Sequence, residues 1–233
     1  MAEGAPPARR ALRLAHRGDW RVAPENSVEA MLAALRIPGC DGLELDVRCS
    51  ADGAAVVLHD ATLERVQRLP VACVTLTAAE LERHHVPTLE RVLLAVGQDV
   101  FVDVELKEQV PSAIEALDVT RGLDAGAGQP GLRSAVLSSF DPEILAWLAA
   151  ERPSWPRWLN AIDLEPATIA RARQLGCTAI SVEHHAVDRA AIARVHAAGL
   201  EVAVWTVREL ADSRRLESLG VIAICAEGAA LDG

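Results

Sequence analysis

No apolar run in these 233 residues reaches the roughly 18 residues that a membrane span requires, so no stable membrane insertion is expected. The arginines near the N-terminus are not followed by the apolar stretch of a secretory signal. No C-x-x-C pair occurs. Cys40, Cys49, Cys73, Cys177 and Cys225 are dispersed and odd in number, which argues against a disulfide scaffold or a zinc knuckle. Five such thiols fit a reducing compartment, so a cytoplasmic location is expected, with the cysteines buried or half-buried as packing residues. Positive charge is in short supply. Lys and Arg number 23 against 33 Asp and Glu, a net charge of -10, and a field of that sign repels polyanions. Nucleic acid is therefore not an expected partner. No G-x-G-x-x-G turn follows the first strand, which weakens a dinucleotide-binding sheet. There is no repeat beyond a strand–helix rhythm. Only the Ala/Pro/Arg-rich start, residues 1–10, reads as disordered.

What is present is a composition of 51% hydrophobic and 24% charged residues, suited to a substantial core. Short apolar runs predict strands over Ala11–Ala15, Gly42–Val47, Val100–Leu106, Ser134–Ser138, Arg157–Ala161, Thr178–Val182, Glu201–Thr206 and Val221–Cys225. Amphipathic stretches lie between them near Glu25–Ile37, Leu89–Val96, Ser112–Leu123, Pro142–Glu151, Pro166–Leu175, Arg189–Ala198 and Glu209–Leu219. Gly176, Gly199 and Gly220 stand where helix C-caps would be. Eight strands separated by helices match an α/β fold, the (β/α)8 TIM barrel, as a single domain over residues 1–233. No convincing helix follows the last strand.

One segment breaks the rhythm. Ala55 to Leu58 is a ninth apolar run, beginning too soon after Val47 for a crossover helix. Asp52-Gly53 between them is a hairpin signal. With those two as the loop, Asp46 faces His59. Glu44 shares that side because strand side chains alternate. Residues 48–87 are accordingly expected to form a small insertion after strand two, a β-hairpin plus a cap.

In a barrel, functional groups come from the C-terminal ends of strands. Strand one ends in His16-Arg17-Gly18, strand two carries Glu44 and Asp46, and Asp103, Glu105 and Lys107 share one face of strand three. That alternation is the inverse of a strand buried on both sides. Inward charges need partners or a metal. Glu105 with Lys107 could be a structural ion pair, and Glu44 with Asp46 a surface face. Packing does not account for all of them at three strand ends together. Glu44, Asp46 and Glu105 suit a hard divalent cation, Mg²⁺ or Ca²⁺. Arg17 and Lys107 add a receptor for phosphate oxygens. His16 and His59 can serve as acid and base near neutral pH. Asp103 is expected one layer below the metal ligands. Glu183-His184-His185 follows a strand and could reach the barrel mouth. Trp205, also at a strand end, could stack on a ligand or pack in the core.

These residues carry a resemblance. His16-Arg17-Gly18, Pro24-Glu25-Asn26-Ser27, Glu44-x-Asp46-Val47, Asp52-Gly53 with Val56-Val57-x-His59-Asp60, Pro87-Thr88-Leu89-Glu90, Glu105-Leu106-Lys107, Ser139-Phe140 and Trp205-Thr206-Val207 occur in the order found in the glycerophosphodiester phosphodiesterase family. The resemblance implies a TIM barrel, a divalent metal at Glu44, Asp46 and Glu105, acid/base roles for His16 and His59, and phosphate contacts from Arg17 and Lys107. The small-molecule phosphodiester it implies would be hydrolysed to glycerol 3-phosphate and an alcohol. A lysophospholipase D activity, with a greasy surface near Val66–Val86, and a non-catalytic phosphate-binding module are the alternatives. The sequence departs from the family's pattern at Arg208 and at Cys225-Ala226-Glu227-Gly228.

Overall fold

Eight parallel strands, each followed by a helix, close into a barrel. The computed structural model describes residues 10–123 and 131–233. The disorder expected at the start of the chain falls, except for Arg10, outside the described residues. The barrel strands are β1 (Leu12–His16), β2 (Gly42–Cys49), β3 (Phe101–Leu106), β4 (Ala135–Ser139), β5 (Arg157–Ala161), β6 (Ala179–Glu183), β7 (Glu201–Val207) and β8 (Ala223–Ala226). β1 pairs with β8 through Leu14 and Cys225 and with β2 through His16 and Glu44, so the parallel cylinder has no free edge. The helices that follow are α1 (Val28–Ala34), α2 (Leu89–Val96), α3 (Pro111–Arg121), α4 (Pro142–Glu151), α5 (Pro166–Gln174), α6 (Arg189–Ala197), α7 (Leu210–Leu219) and α8 (Gly228–Asp232). Gly220, at φ +91°, closes α7 in the left-handed conformation that favours glycine. The last helix corrects the expectation of none. Its five residues are too few to show a 3.6-residue period, yet it buries Ala230 and Leu231.

The alternation of side chains divides the interior into two regions. Outward-facing Leu43, Leu45 and Val47 of β2 and Val102, Val104 and Leu106 of β3 join the main core beneath the helices. Inside the cylinder, Leu14, Val136, Trp158, Ala179, Ala203 and Ala223 form an apolar floor against which Phe101 packs. Two residues further along the same strands the inward positions are polar: His16, Asp103, Ser138, Asn160 and Ser181, all lining one cavity. The barrel is thus plugged with hydrocarbon at one end and polar at the C-terminal end.

Between β2 and α2 the chain leaves the barrel. Ala55–Val57 pairs antiparallel with the end of β2, Val47 opposite Val57 and Cys49 opposite Ala55. The loop has three residues, Ala51-Asp52-Gly53, closed by the Ser50–Ala54 backbone bond, with Gly53 left-handed at φ +81°. This corrects the two-residue loop read from Asp52-Gly53. The register moves by one, and Leu58, not His59, stands opposite Asp46, its N–H donating to the Asp46 carbonyl at 2.9 Å. Beyond the hairpin, Val56, Leu58, Leu63, Cys73, Leu81 and Val86 pack into a small core of their own. Among the described residues no helix is long and apolar enough to cross a membrane.

Candidate active site

The polar end of the barrel opens into a cavity of about 570 Å³ lined by strand ends and the loops that follow them. β2 delivers Glu44 and Asp46, and β3 delivers Glu105. The register sets Asp46 beside Glu105 on neighbouring strands. Oxygens of all three carboxylates lie within 4.8 Å of one another. Each residue is more than nine-tenths buried. Glu44 Oε2 has no hydrogen-bond partner within the chain.

Two cations answer this charge in part. Lys107 Nζ is 2.9 Å from Asp46 Oδ1 and also pairs with Glu105. Arg17 Nε is 3.1 Å from Asp46 Oδ2. Burial alone would raise the Asp46 carboxyl, but Lys107 and Arg17 hold it down at about 2. Glu44 has no such neighbour in contact. Burial, then the charges of Asp46 and Glu105, push it well above the usual carboxylate range. Burial also raises Glu105, against the pull of Lys107, and carries Asp103 to about 7 despite a 2.6 Å bond donated by Ser138. A surplus of buried acid with the Glu44 Oε2 oxygen unpartnered is the environment that a bound divalent cation completes. The all-oxygen donor set fits a hard metal.

Loop one is held in an uncommon conformation to bring Arg17 there. Arg17 and Asn26 both take φ near +60°, which costs of order 1–3 kcal/mol for non-glycine residues. Asn26 N–H bonds the Arg17 carbonyl at 2.9 Å, and Asn26 Nδ2 donates to Asp46 Oδ2 at 2.9 Å. This turn explains why α1 begins only at Val28, capped by Ser27, and not at Glu25 as periodicity suggested. Glu25 instead faces Arg17 at 3.0 Å and Arg65 at 2.6 Å. Gly18, at φ +83°, lets the loop lie on α1. A β-carbon there would stand 2.6 Å from the Ala30 backbone.

Each histidine is anchored by a carboxylate. His59 Nδ1 lies 2.7 Å from Asp60 Oδ1, and Arg48 Nε donates to the His59 carbonyl at 2.8 Å. Burial lowers the His59 pKa and outweighs Asp46 and Asp60, so the ring is neutral at pH 7 with a lone pair to offer. His16 Nδ1 bonds Glu227, and its Nε2 is 3.8 Å from Glu44 Oε2. His59 reaches the cavity although the observed register puts Leu58, not His59, opposite Asp46. The strand ends at Val57 and the chain bends.

Trp205 lies at a bulge. Val204 pairs with Ile224 but Val207 with Ala226, so Trp205 and Thr206 oppose one residue of β8. Its indole N–H donates to the Ser181 carbonyl at 2.9 Å, and its ring meets Phe140 edge to face. The structure therefore brings His16, Arg17, Glu44, Asp46, His59, Glu105, Lys107 and Trp205 to one place. Glu183, His184 and His185 do not line the cavity; Glu183 accepts from the His185 backbone N–H at 2.9 Å. Reading the residues singly did not assign Asn26, Asp60, Arg208 or Glu227. Asn26 and Asp60 stood within quoted motifs. Arg208 and Glu227 stood out only as departures from one.

The model of the Glycerophosphoryl diester phosphodiesterase family matches residues 16–228. The glycerophosphodiester phosphodiesterase of Caldanaerobacter subterraneus subsp. tengcongensis is 32% identical over 111 residues, 42% of this chain and 45% of that protein. One from Bacillus subtilis is 24% identical over 245 residues, 92% of this chain and 83% of that protein. An Oleispira antarctica phosphodiesterase, solved in complex with the product sn-glycerol-3-phosphate, superposes with a TM-score of 0.81 at 23% identity, covering 93% of each chain. A Thermotoga maritima glycerophosphodiester phosphodiesterase does so with a TM-score of 0.75 at 24% identity, covering 94% of this chain and 95% of that one. These two likenesses are of fold.

Proposed function

Because this chain belongs to the Glycerophosphoryl diester phosphodiesterase family, we propose that it hydrolyses glycerophosphodiesters to glycerol 3-phosphate and an alcohol. The observation that carries this reading is the convergence of three buried carboxylates, two cations and two carboxylate-anchored imidazoles on one cavity. Glu44, Asp46 and Glu105 are the residues that would hold a divalent cation, Mg²⁺ or Ca²⁺. Such an ion, when bound, polarises a phosphoryl oxygen and offsets the charge that builds up there. Arg17 and Lys107 bind the remaining phosphoryl oxygens with charge-assisted hydrogen bonds. One of His16 and His59, in its neutral form, takes the proton of the attacking hydroxyl, and the other, in its protonated form, gives one to the departing alkoxide, the pair exchanging a proton with solvent before the next turnover. Each positioned group of this kind is worth about 10²–10⁴-fold in rate. The apolar floor closes the barrel beneath the site and keeps bulk water from that side.

The test is release of glycerol 3-phosphate from glycerophosphocholine or glycerophosphoethanolamine, with and without EDTA. Metal-dependent release that His16→Ala and His59→Ala each lower by about 10²–10⁴-fold is the expected result. Failure to turn over any glycerophosphodiester in the presence of Mg²⁺ or Ca²⁺ overturns the reading. A second reading, lysophospholipase D activity, is favoured by one observation. Trp20 and Phe140, 49% and 46% exposed, lie on the cavity rim, with Ile162 exposed just beyond β5. This greasy surface sits on the loops after β1, β4 and β5, and within Val66–Val86 Val74 is exposed as well. Faster turnover of a lysophosphatidylcholine than of glycerophosphocholine would select it.

A further inference from the structure

Glu227 sits at the start of α8, where an acidic side chain ordinarily accepts from the exposed N–H groups of the first turn. It makes no such bond. Its carboxylate turns into the barrel, about nine-tenths buried, and divides its oxygens between two partners. Oε1 bonds His16 Nδ1, and Oε2 accepts from Arg208 Nε at 2.8 Å. The backbone fixes this geometry from both sides. Glu227 N–H bonds the Val207 carbonyl at 2.9 Å, and Ala230 N–H bonds the Arg208 carbonyl at 3.0 Å. The loops after β7 and β8 are thereby tied together directly beneath the pair. His16 and Arg208 together keep the Glu227 carboxyl below its ordinary range, against the effect of burial. An ionised carboxylate only accepts, so the neutral His16 ring carries its proton on Nδ1 and presents the Nε2 lone pair to the cavity.

We infer that Glu227 is a positioning residue that sets the tautomer and orientation of His16, and that Arg208 acts through Glu227 by clamping its second oxygen. The inference rests on the phosphodiesterase reading for its kinetic consequence but not for its structural one. The chemistry repeats on the other side of the cavity, where Asp60 holds His59 Nδ1 and Arg65 Nε holds Asp60 at 2.6 Å. Each imidazole is thus backed by a carboxylate and then by an arginine.

The experiment joins ring-nitrogen NMR of the full chain, saturated with Mg²⁺, to a kinetic cycle on glycerophosphocholine. In the wild type the His16 signal is expected as the Nδ1–H form, and Glu227→Ala should convert it to a mixture of the two tautomers. Glu227→Ala should lower kcat by about 10- to 100-fold, within the range a positioned acid or base supplies, with KM changed less than about twofold. In a His16→Ala background the same substitution should cost less than about twofold, because it acts only through that ring. Glu227→Gln keeps the shape and an accepting oxygen, and should fall between Glu227→Ala and the wild type. An unchanged tautomer in Glu227→Ala, or an equal loss with and without His16, overturns the inference. Absence of turnover in the wild type would instead overturn the phosphodiesterase reading, and the NMR result would still decide the role of Glu227.

Discussion

Lys107 Nζ lies 2.9 Å from Asp46 Oδ1 and pairs at the same time with Glu105, so one ammonium serves two of the three carboxylates at the heart of the cavity. Its removal leaves both acids buried without that partner, a change that is strongly destabilising when nothing replaces it. A divalent cation on the same carboxylates would replace it. Lys107→Met is therefore expected to lower Tm markedly in EDTA and much less in saturating Mg²⁺ or Ca²⁺. Its turnover in saturating metal should fall. Differential scanning fluorimetry in the two buffers checks this, and an equal drop in both would contradict it.

Glu44 is the carboxylate with no cation in contact, and burial pushes it toward its protonated form. Glu44→Gln removes that burden. Without metal the variant is expected to be at least as stable as the wild type. Relief of about 1 kcal/mol would raise the midpoint by about 2–4 °C in a chain of this size. The rise in Tm that added metal confers on the wild type by linkage should be lost. Calorimetric titration with Mg²⁺ and Ca²⁺ measures the same loss directly.

Acid sensitivity is expected to arise in part from the Arg65 network. Arg65 holds Glu25 at 2.6 Å and Asp60 at 2.6 Å. Burial opposes ionisation of both, but Arg65 wins, and both carboxyls lie below their ordinary values of 4.5 and 3.8. A depressed folded-state pKa gives stability that is present above the unfolded value and lost as pH falls through the folded one. The Tm difference between wild type and Arg65→Met should therefore be full at pH 7, begin to shrink below pH 4.5 and vanish at lower pH. Thermal melts across that window test it.

Arg121 is only 1% exposed, and its guanidinium donates to the carbonyls of Gly97, Gln98, Val100 and Ser134. It ties the end of α3 to the entries of β3 and β4, far from the cavity. Arg121→Met leaves these acceptors without their donor and should destabilise by about 3 kcal/mol. The kcat of the folded fraction should be unchanged. Urea melts and single-temperature kinetics separate the two effects.

Much of this molecule was legible in its residues. The barrel strands lie within about two residues of their predicted ends, because alternation and turn chemistry act over a few neighbours. The inverted pattern of Asp103, Glu105 and Lys107 correctly marked a polar interior, since only an inward face with partners retains such charge. His59 shows the limit. The two-residue loop that Asp52-Gly53 predicts sets it opposite Asp46, but the three-residue loop shifts the register by one. It reaches the cavity for another reason, the early end of the Ala55–Val57 strand. The first turn after β1 was also misread as helix, because the left-handed Asn26 is dictated by Asp46, 20 residues away, and not by its neighbours.

By itself the chain order of residue types determined which faces are apolar, where strands and helices alternate, and which acids lie at strand ends, since each depends on contacts a few residues long. Closure of the cylinder decided the rest. Only when β1 lies beside β8 does Glu227, held by Arg208, meet His16 across 211 positions of sequence. No local periodicity encodes that meeting, because it depends on the stagger of all eight strands at once, and that stagger is set by the packing of the floor inside and the helices outside.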